Sequence, residues 1–365
     1  MTSSTKMNRV AFLNNLASKK VKYNLGAGVP PLNLFSELQI EKCIKVFQKE
    51  YPDIDVFHYH QSGGVLSEIV KTYFNRNDNI TFHQDLAIAT TSGVQEAITI
   101  ATTLFKNEAV ACFDPYYPGF VDVVKTFGKN PVLLSPIDWE NQISKLPERS
   151  LIYLSTDFSN PSGNRLSLDQ RIKMIELAQK HNLFIFDDAT YREYYLDKKL
   201  PALISLDNSR VIHAASFSKI LSPGLRMAFV LLPKEFESKF LAIKANVSLN
   251  SSGISQAILG GWLISNAFNT KKHLAQAIER LKNNQHILRE YKIKYEGGFF
   301  ARMDLKRNIS LDWCNELLAN DIAVCPMSLF SDNKENNNEI RLAISNISDV
   351  DLNHAIKKII TFANQ

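Results

Sequence analysis

Between about Ile80 and Leu232 the chain alternates short apolar runs with longer stretches of helical period. AVACFD, PVLLSP, SLIYLST, LFIFDD, RVIHAAS and MAFVLLP read as strands. Between the third and the fourth lies SLDQRIKMIELAQKHN, in which Ile172, Ile175, Leu177 and Ala178 mark an apolar helical face. Its Ser167 and Gln170 have the spacing of a capping box, so the start of the helix is well specified. Strand, helix, strand with nearly continuous apolar strands predicts an α/β fold, a mostly parallel sheet covered by helices on both faces. After Pro233 the pattern is helical for a long way, through KEFESKFLAIKANV and ISQAILGGWLI to KKHLAQAIERLKNNQHILREYKIKY. GGFFARMDL and EIRLAIS then read as strands, with SLDWCNELLAND and VDLNHAIKKIITFAN as helices, a smaller α+β unit. The opening stretch has no sheet of its own, and NLGAGVPP is expected to reach across to that unit. The expected division is an N-terminal segment at 1–44 that contributes to the small domain, a large domain at 45–245, and linking helices with the small domain at 246–365.

Bulk properties narrow the classes. A chain of 365 residues exceeds what one compact core usually covers, which agrees with two units. The longest apolar runs are too short to span a bilayer, and MTSSTKMNRVAFLNN is polar and mixed rather than leader-like, so a cytoplasmic protein is expected. The net charge of +5 arises from 42 basic and 37 acidic residues, scattered rather than gathered in a stripe, which argues against nucleic acid as a partner. Cys43, Cys112, Cys314 and Cys325 show no CxxC spacing and read as reduced, structural thiols. DNKENNNE reads as an exposed loop.

In parallel sheets ligands sit at the carboxyl ends of the strands, and here those ends are polar. Thr90-Thr91-Ser92-Gly93-Val94-Gln95 precedes an apolar helix, a small-residue turn whose backbone donors face an anion at a helix start. CFDPYYPGF puts Tyr116 and Tyr117 after a strand, either as packed aromatics in a turn or as a stacking platform for a flat ring. Asn160, before Pro161, cannot enter a helix and could point its amide at a ligand. Asp187 and Asp188 end a buried strand, where each carboxylate needs a cation or a donor, and Tyr191 follows three residues on. In SFSKILSPGLR an apolar setting moves the Lys219 pKa towards neutrality and makes it a nucleophilic amine. Arg226, Ser216 and Ser218 suit a phosphate. One ligand satisfies this collection, a flat heteroaromatic ring with an aldehyde, a phosphate arm, a phenolic oxygen and a ring nitrogen that prefers an anionic partner: pyridoxal phosphate.

NLGAGVPPLNLF, TTSGVQEAI, DPYYPGF, FSNPSGNRLSLDQR, FIFDDATYREY, SFSKILSPGLR, EGGFFARMDL and EIRLAIS resemble, in order and over nearly the whole chain, the motifs of fold-type I pyridoxal-phosphate enzymes, the class I/II aminotransferases. The arginine seven residues after the lysine is similar to the branch with the 2-aminoadipate and kynurenine aminotransferases and the aminotransferase-like domains of certain bacterial regulators. The resemblance implies a large domain with a seven-stranded-type, mostly parallel sheet, in which Lys219 forms the internal aldimine and shuttles a proton and Asp188 keeps the ring nitrogen protonated. It implies that Asn160 and Tyr191 bond the phenolic oxygen and that Tyr117, rather than Tyr116, stacks on the ring. Ser216, Ser218, Arg226 and the turn at Gly93, Val94 and Gln95 would take the phosphate. Arg341 would grip the substrate carboxylate, with Gly28 offering backbone close by and Asn160 beside it. A homodimer is implied too, with Tyr59 lent to the neighbouring subunit's phosphate. His58 and His60 around it form an HxH, which reads as a polar surface strand, so no metal is expected. Departures are Val94, where a serine or threonine is common, Ala228 in place of a glycine, and CPMSLF without the usual glycine.

The expected reaction is transfer of an amino group from an L-amino acid to a 2-oxo acid. A lyase, decarboxylase or oxidase of amino acids is the alternative on the same fold. A ligand-sensing domain of a regulator is another, set back by the short stretch ahead of Asn24, since such regulators carry a winged-helix module there. Substrate selection is expected from the N-terminal segment, the loop near Asn33 and the partner chain.

Overall fold

The computed structural model describes residues 9–31, 35–82, 84–332 and 337–365. Asn33 and residues 333–336 of the DNKENNNE stretch lie outside the described residues. A helix, Arg9–Ser18, comes first, followed by a two-residue strand, β1 (Tyr23–Asn24). The central sheet holds β2 (Leu86–Thr91), β3 (Val110–Phe113), β4 (Val132–Leu134), β5 (Leu151–Leu154), β6 (Phe184–Asp188), β7 (Val211–Ser216) and β8 (Ala228–Pro233), in the order β2-β8-β7-β6-β5-β3-β4. All pairings are parallel except those of β8, which runs against both of its neighbours. The α/β class with a mostly parallel sheet is therefore as the sequence predicts. The strand over LAIATT is a seventh, added to the six apolar runs named above.

Alternate residues of each strand feed opposite faces, as the period of two requires. Ala111, Ile152 and Ile185 join the apolar cluster on one side, while Cys112, Leu151, Phe184 and Phe186 join the cluster on the other. The helix Leu168–Lys180 has the expected capping box: the Gln170 N–H donates to Ser167 Oγ and the Ser167 N–H to Gln170 Oε1. Its buried stripe differs from the expected one. Ile172 is exposed, and Arg171 is buried with Met174, Ile175 and Ala178. The i, i+3, i+4, i+7 row passes through an arginine because Asp157 waits beneath it as a partner.

The direction of β8 builds the site. Its first residue, Ala228, stands opposite both Thr91 at the end of β2 and Ser216 at the end of β7. The turn after β2 and the loop joining β7 to β8 thus meet at one edge, beside the ends of β5 and β6. A three-stranded antiparallel sheet follows later in the chain, from β9 (Phe300–Asp304), β11 (Cys325–Pro326) and β12 (Glu339–Ala343), while β10 (Ile322–Ala323) pairs with β1. The Ala343 N–H donates to Leu25 O, so NLGAGVPP lies against these C-terminal strands. Among the described residues no helix is long and apolar enough to cross a membrane, and no group of three or more His, Cys, Asp or Glu could hold a metal ion.

Candidate active site

At the carboxyl ends of the parallel strands opens a cavity of about 510 Å³. Gly28, Val94, Gln95, Tyr117, Asn160, Asp188, Tyr191, Ser216, Ser218, Lys219, Arg226 and Arg341 all line it. Gly93 adjoins it as the N-cap of the helix Val94–Leu104. Tyr59 does not line it; that side chain is 83% exposed on the surface of this chain.

One corner gathers donors. The first N–H groups of the helix Val94–Leu104 have no partner within the helix, and its dipole favours an anion there. Arg226 faces the same turn: Nη1 donates to Ser218 Oγ at 3.2 Å and Nη2 to Ser92 O at 3.3 Å. Gly93 is required, because its φ is +89° and a Cβ there would stand 2.5 Å from Arg226 Nη2. Val94 offers only its N–H to this corner.

Lys219 Nζ donates to Gly28 O at 2.9 Å. Burial, and then the guanidinium groups of Arg226 and Arg341, pull its pKa down to about 8 against the opposing carboxylate of Asp188. Gly28 allows this approach, since a Cβ there would lie 2.4 Å from the Phe300 ring. The two adjacent aspartates point to opposite faces of β6. Asp187 meets His213 Nδ1 at 2.9 Å and the Thr156 hydroxyl at 2.9 Å. Asp188 accepts from the Tyr153 hydroxyl at 2.8 Å, the Thr190 N–H at 3.1 Å and the Thr190 hydroxyl at 2.5 Å. Burial raises the Asp188 pKa while those donors lower it. Among the described residues no cation pairs with Asp188, so a buried carboxylate faces the cavity with room for one.

The opposite wall comes from the C-terminal sheet. Arg341 Nη1 donates to Asn160 Oδ1 at 2.8 Å and Nη2 to Gly26 O at 2.5 Å, while its buried Nε has no partner among the described residues. Its Cζ lies 4.5 Å from the Phe300 ring centroid and 4.6 Å from that of Phe330, a cation held between two aromatic faces. Tyr117 donates to Gln95 Oε1 at 3.1 Å, and burial pushes its pKa up to about 12. Tyr191 packs on Phe299 and Phe300. Tyr116 is turned elsewhere: its hydroxyl meets Arg9 and Asp332, and its N–H donates to Phe330 O at 2.8 Å.

Tyr153, Thr190, Phe300, Phe330 and Arg9 escape a reading of the sequence, because each acts through a partner far along the chain or through a hydroxyl with many ordinary roles. Phe300 alone carried a hint, in its place beside the paired glycines of GGFF.

The set fits pyridoxal phosphate: an anion corner, an amine with a lowered pKa, an unpaired carboxylate for a ring cation, and an aromatic side chain beside them. A family model for aminotransferase class I and II matches residues 20–359. The 2-aminoadipate transaminase of Thermus thermophilus is 25% identical over 74% of this chain and 73% of its own length. The HTH-type transcriptional regulator NorG of Staphylococcus aureus is 21% identical over 98% of this chain and 84% of its own length. Among solved structures, a multiple substrate aminotransferase from Thermococcus profundus superposes with a TM-score of 0.86 at 22% identity, covering 100% of this chain and 95% of that one. LysN, an α-aminoadipate aminotransferase of Thermus thermophilus complexed with N-(5'-phosphopyridoxyl)-L-leucine, gives 0.82 at 21%, covering 98% and 95%. The chain belongs to the class I and II aminotransferases, pyridoxal-phosphate-dependent enzymes that act on amino acids and 2-oxo acids.

Proposed function

We propose that Lys219 is the residue that binds the cofactor and then moves the substrate proton, within an amino-group transfer between an L-amino acid and a 2-oxo acid. The observation that carries this is the Lys219 amine, with its pKa lowered to about 8, in one cavity with the unpaired Asp188 carboxylate and the anion corner around Arg226. Bound pyridoxal phosphate supplies an aldehyde and an electron-withdrawing ring. Asp188, steadied by Tyr153 and Thr190, holds a proton on the ring nitrogen. Arg226, Ser216, Ser218 and the N–H groups at Gly93, Val94 and Gln95 bind the phosphate. Tyr117 covers one face of the ring. Asn160 gives its oxygen to Arg341, which leaves its amide N–H groups for the phenolic oxygen, with the Tyr191 hydroxyl as second donor. Arg341 Nε and the guanidinium edge beside it orient the substrate carboxylate, with the Gly28 backbone close by. Lys219 Nζ would take the proton from the substrate α-carbon and return it.

We further propose a homodimer in which Tyr59 reaches the partner subunit's phosphate. Its support is the exposure of Phe57 and Tyr59 next to buried Val56. The four unpaired buried thiols support a reducing compartment, the cytoplasm. The similarity to NorG favours a second reading, cofactor binding for sensing without turnover. Incubating the holoenzyme with one amino acid and no oxo acid separates the readings: transfer releases one equivalent of 2-oxo acid per chain and stops until an acceptor is added. Continuous product would indicate a lyase or oxidase, and no product a sensor.

A further inference from the structure

The cavity that holds Lys219 and Arg341 is also lined by Val10, Leu13 and Ala17, together with Val29, Pro30 and Ile98. The first three stand at i, i+3 and i+7 of the helix Arg9–Ser18, so they share one face. That helix is pinned at both ends. Arg9 meets the Tyr116 hydroxyl and, at 3.0 Å, Asp332 Oδ1. Leu16 lies on Gly26, where a Cβ would approach its Cδ1 to 3.3 Å. Among the described residues that line the cavity, the charged ones are Asp188, Lys219, Arg226 and Arg341, each of which already has a task in the transfer. Among the described lining residues, a carboxylate or ammonium on a substrate side chain set against this apolar wall would find no partner of its own, which is costly. An aliphatic side chain would instead gain about 25 cal/mol for each Å² it covers.

We propose that this chain selects amino acids with apolar side chains, and the matching 2-oxo acids, and that Val10 and Leu13 set the selectivity. The proposal rests on the reading of Arg341 as the carboxylate anchor. Side-chain contacts of this kind discriminate by about 10- to 200-fold.

The test uses two unreactive carboxylates, 4-methylvalerate and glutarate, titrated calorimetrically into the holoenzyme, alongside kcat/KM for L-leucine and L-glutamate. The expected result is tighter binding of 4-methylvalerate by about tenfold or more, the same order in kcat/KM, and a reversed preference in Leu13→Arg. Leu13→Ala, which leaves the helix apolar, is expected to weaken 4-methylvalerate selectively and to admit 3-phenylpropionate. Equal binding of both acids, a preference for glutarate, or unchanged ratios in both Leu13 variants would overturn the proposal while leaving Arg341 in its role. Undiminished binding of both acids by Arg341→Ala would instead overturn the anchor reading, and the proposal with it.

Discussion

Arg341 Nη1 donates to Asn160 Oδ1 at 2.8 Å, and this contact ties the last strand of the C-terminal sheet to the loop that follows β5. The same guanidinium reaches Gly26 O in the N-terminal segment and sits between Phe300 and Phe330. Three distant parts of the chain therefore fix one cation, whose buried Nε has no partner among the described residues.

Removing that cation removes a charged anchor common to every substrate. Arg341→Ala is expected to raise KM for all amino acids alike and to lower kcat/KM by about 30- to 5000-fold, the range for a buried charged pair. Phe330→Leu keeps the cation but takes away one aromatic face, worth about 0.5–2 kcal/mol, so KM should rise by about two- to thirtyfold. Initial rates across a panel of amino acids check both. A loss confined to one substrate would contradict the anchor role.

Asp157 is held by three guanidinium groups, Arg165 Nε at 3.0 Å, Arg171 Nη2 at 2.6 Å and Arg192 Nη1 at 2.7 Å. It begins the loop that carries Asn160, and Arg192 follows Tyr191, so the cluster braces the cavity from behind. Asp157→Asn leaves these charges facing one another and is expected to cost about 3–5 kcal/mol of stability in urea unfolding. The arginines depress the Asp157 pKa in the folded state. Its contribution is therefore complete above the ordinary carboxylate value near 3.9 and lost as the pH falls below it. The gap between Asp157→Asn and the unaltered protein should narrow under acid; a gap that is constant with pH would contradict the pairing.

Much of this arrangement was legible in the chain, and the remainder has physical reasons for being hidden. β3 to β8 show as continuous apolar runs because both faces of the sheet are covered. The polar strand ends name the cofactor because its chemistry demands unlike groups at successive ends. β2 is harder to see, since LAIATT is short and built of small residues that also suit a helix. The helix Arg9–Ser18 shows no clear stripe because Leu16 is its one fully buried side chain among the described residues, with Phe12 and Leu13 packed beside it against the C-terminal strands. Arg171 is polar at a core position, and only its partner Asp157 explains why. The Phe330 face on Arg341 belongs to the segment CPMSLF, whose missing glycine gave no sign of what stands there instead.

Burial also sets a pH dependence. A protein stripped of cofactor should recapture it through the neutral amine of Lys219, whose fraction grows about tenfold per pH unit below its pKa. Recapture followed by absorbance is expected to accelerate with pH and level off near 8, the value to which Lys219 is lowered. Because the unfolded chain keeps that proton up to the ordinary lysine value, about 10.4, the stripped protein should gain stability relative to stripped Lys219→Met as the pH rises from 8 to about 10. A recapture rate that continues to climb to pH 10 would show an ordinary, exposed lysine.

The most direct measurement is borohydride reduction of the holoenzyme followed by peptide mass mapping. One pyridoxyl phosphate fixed per chain is expected, on the peptide that contains Lys219, and none in Lys219→Ala. Fixation at another lysine, or an unlabelled Lys219 in protein that carries the cofactor, would contradict the assignment of Lys219.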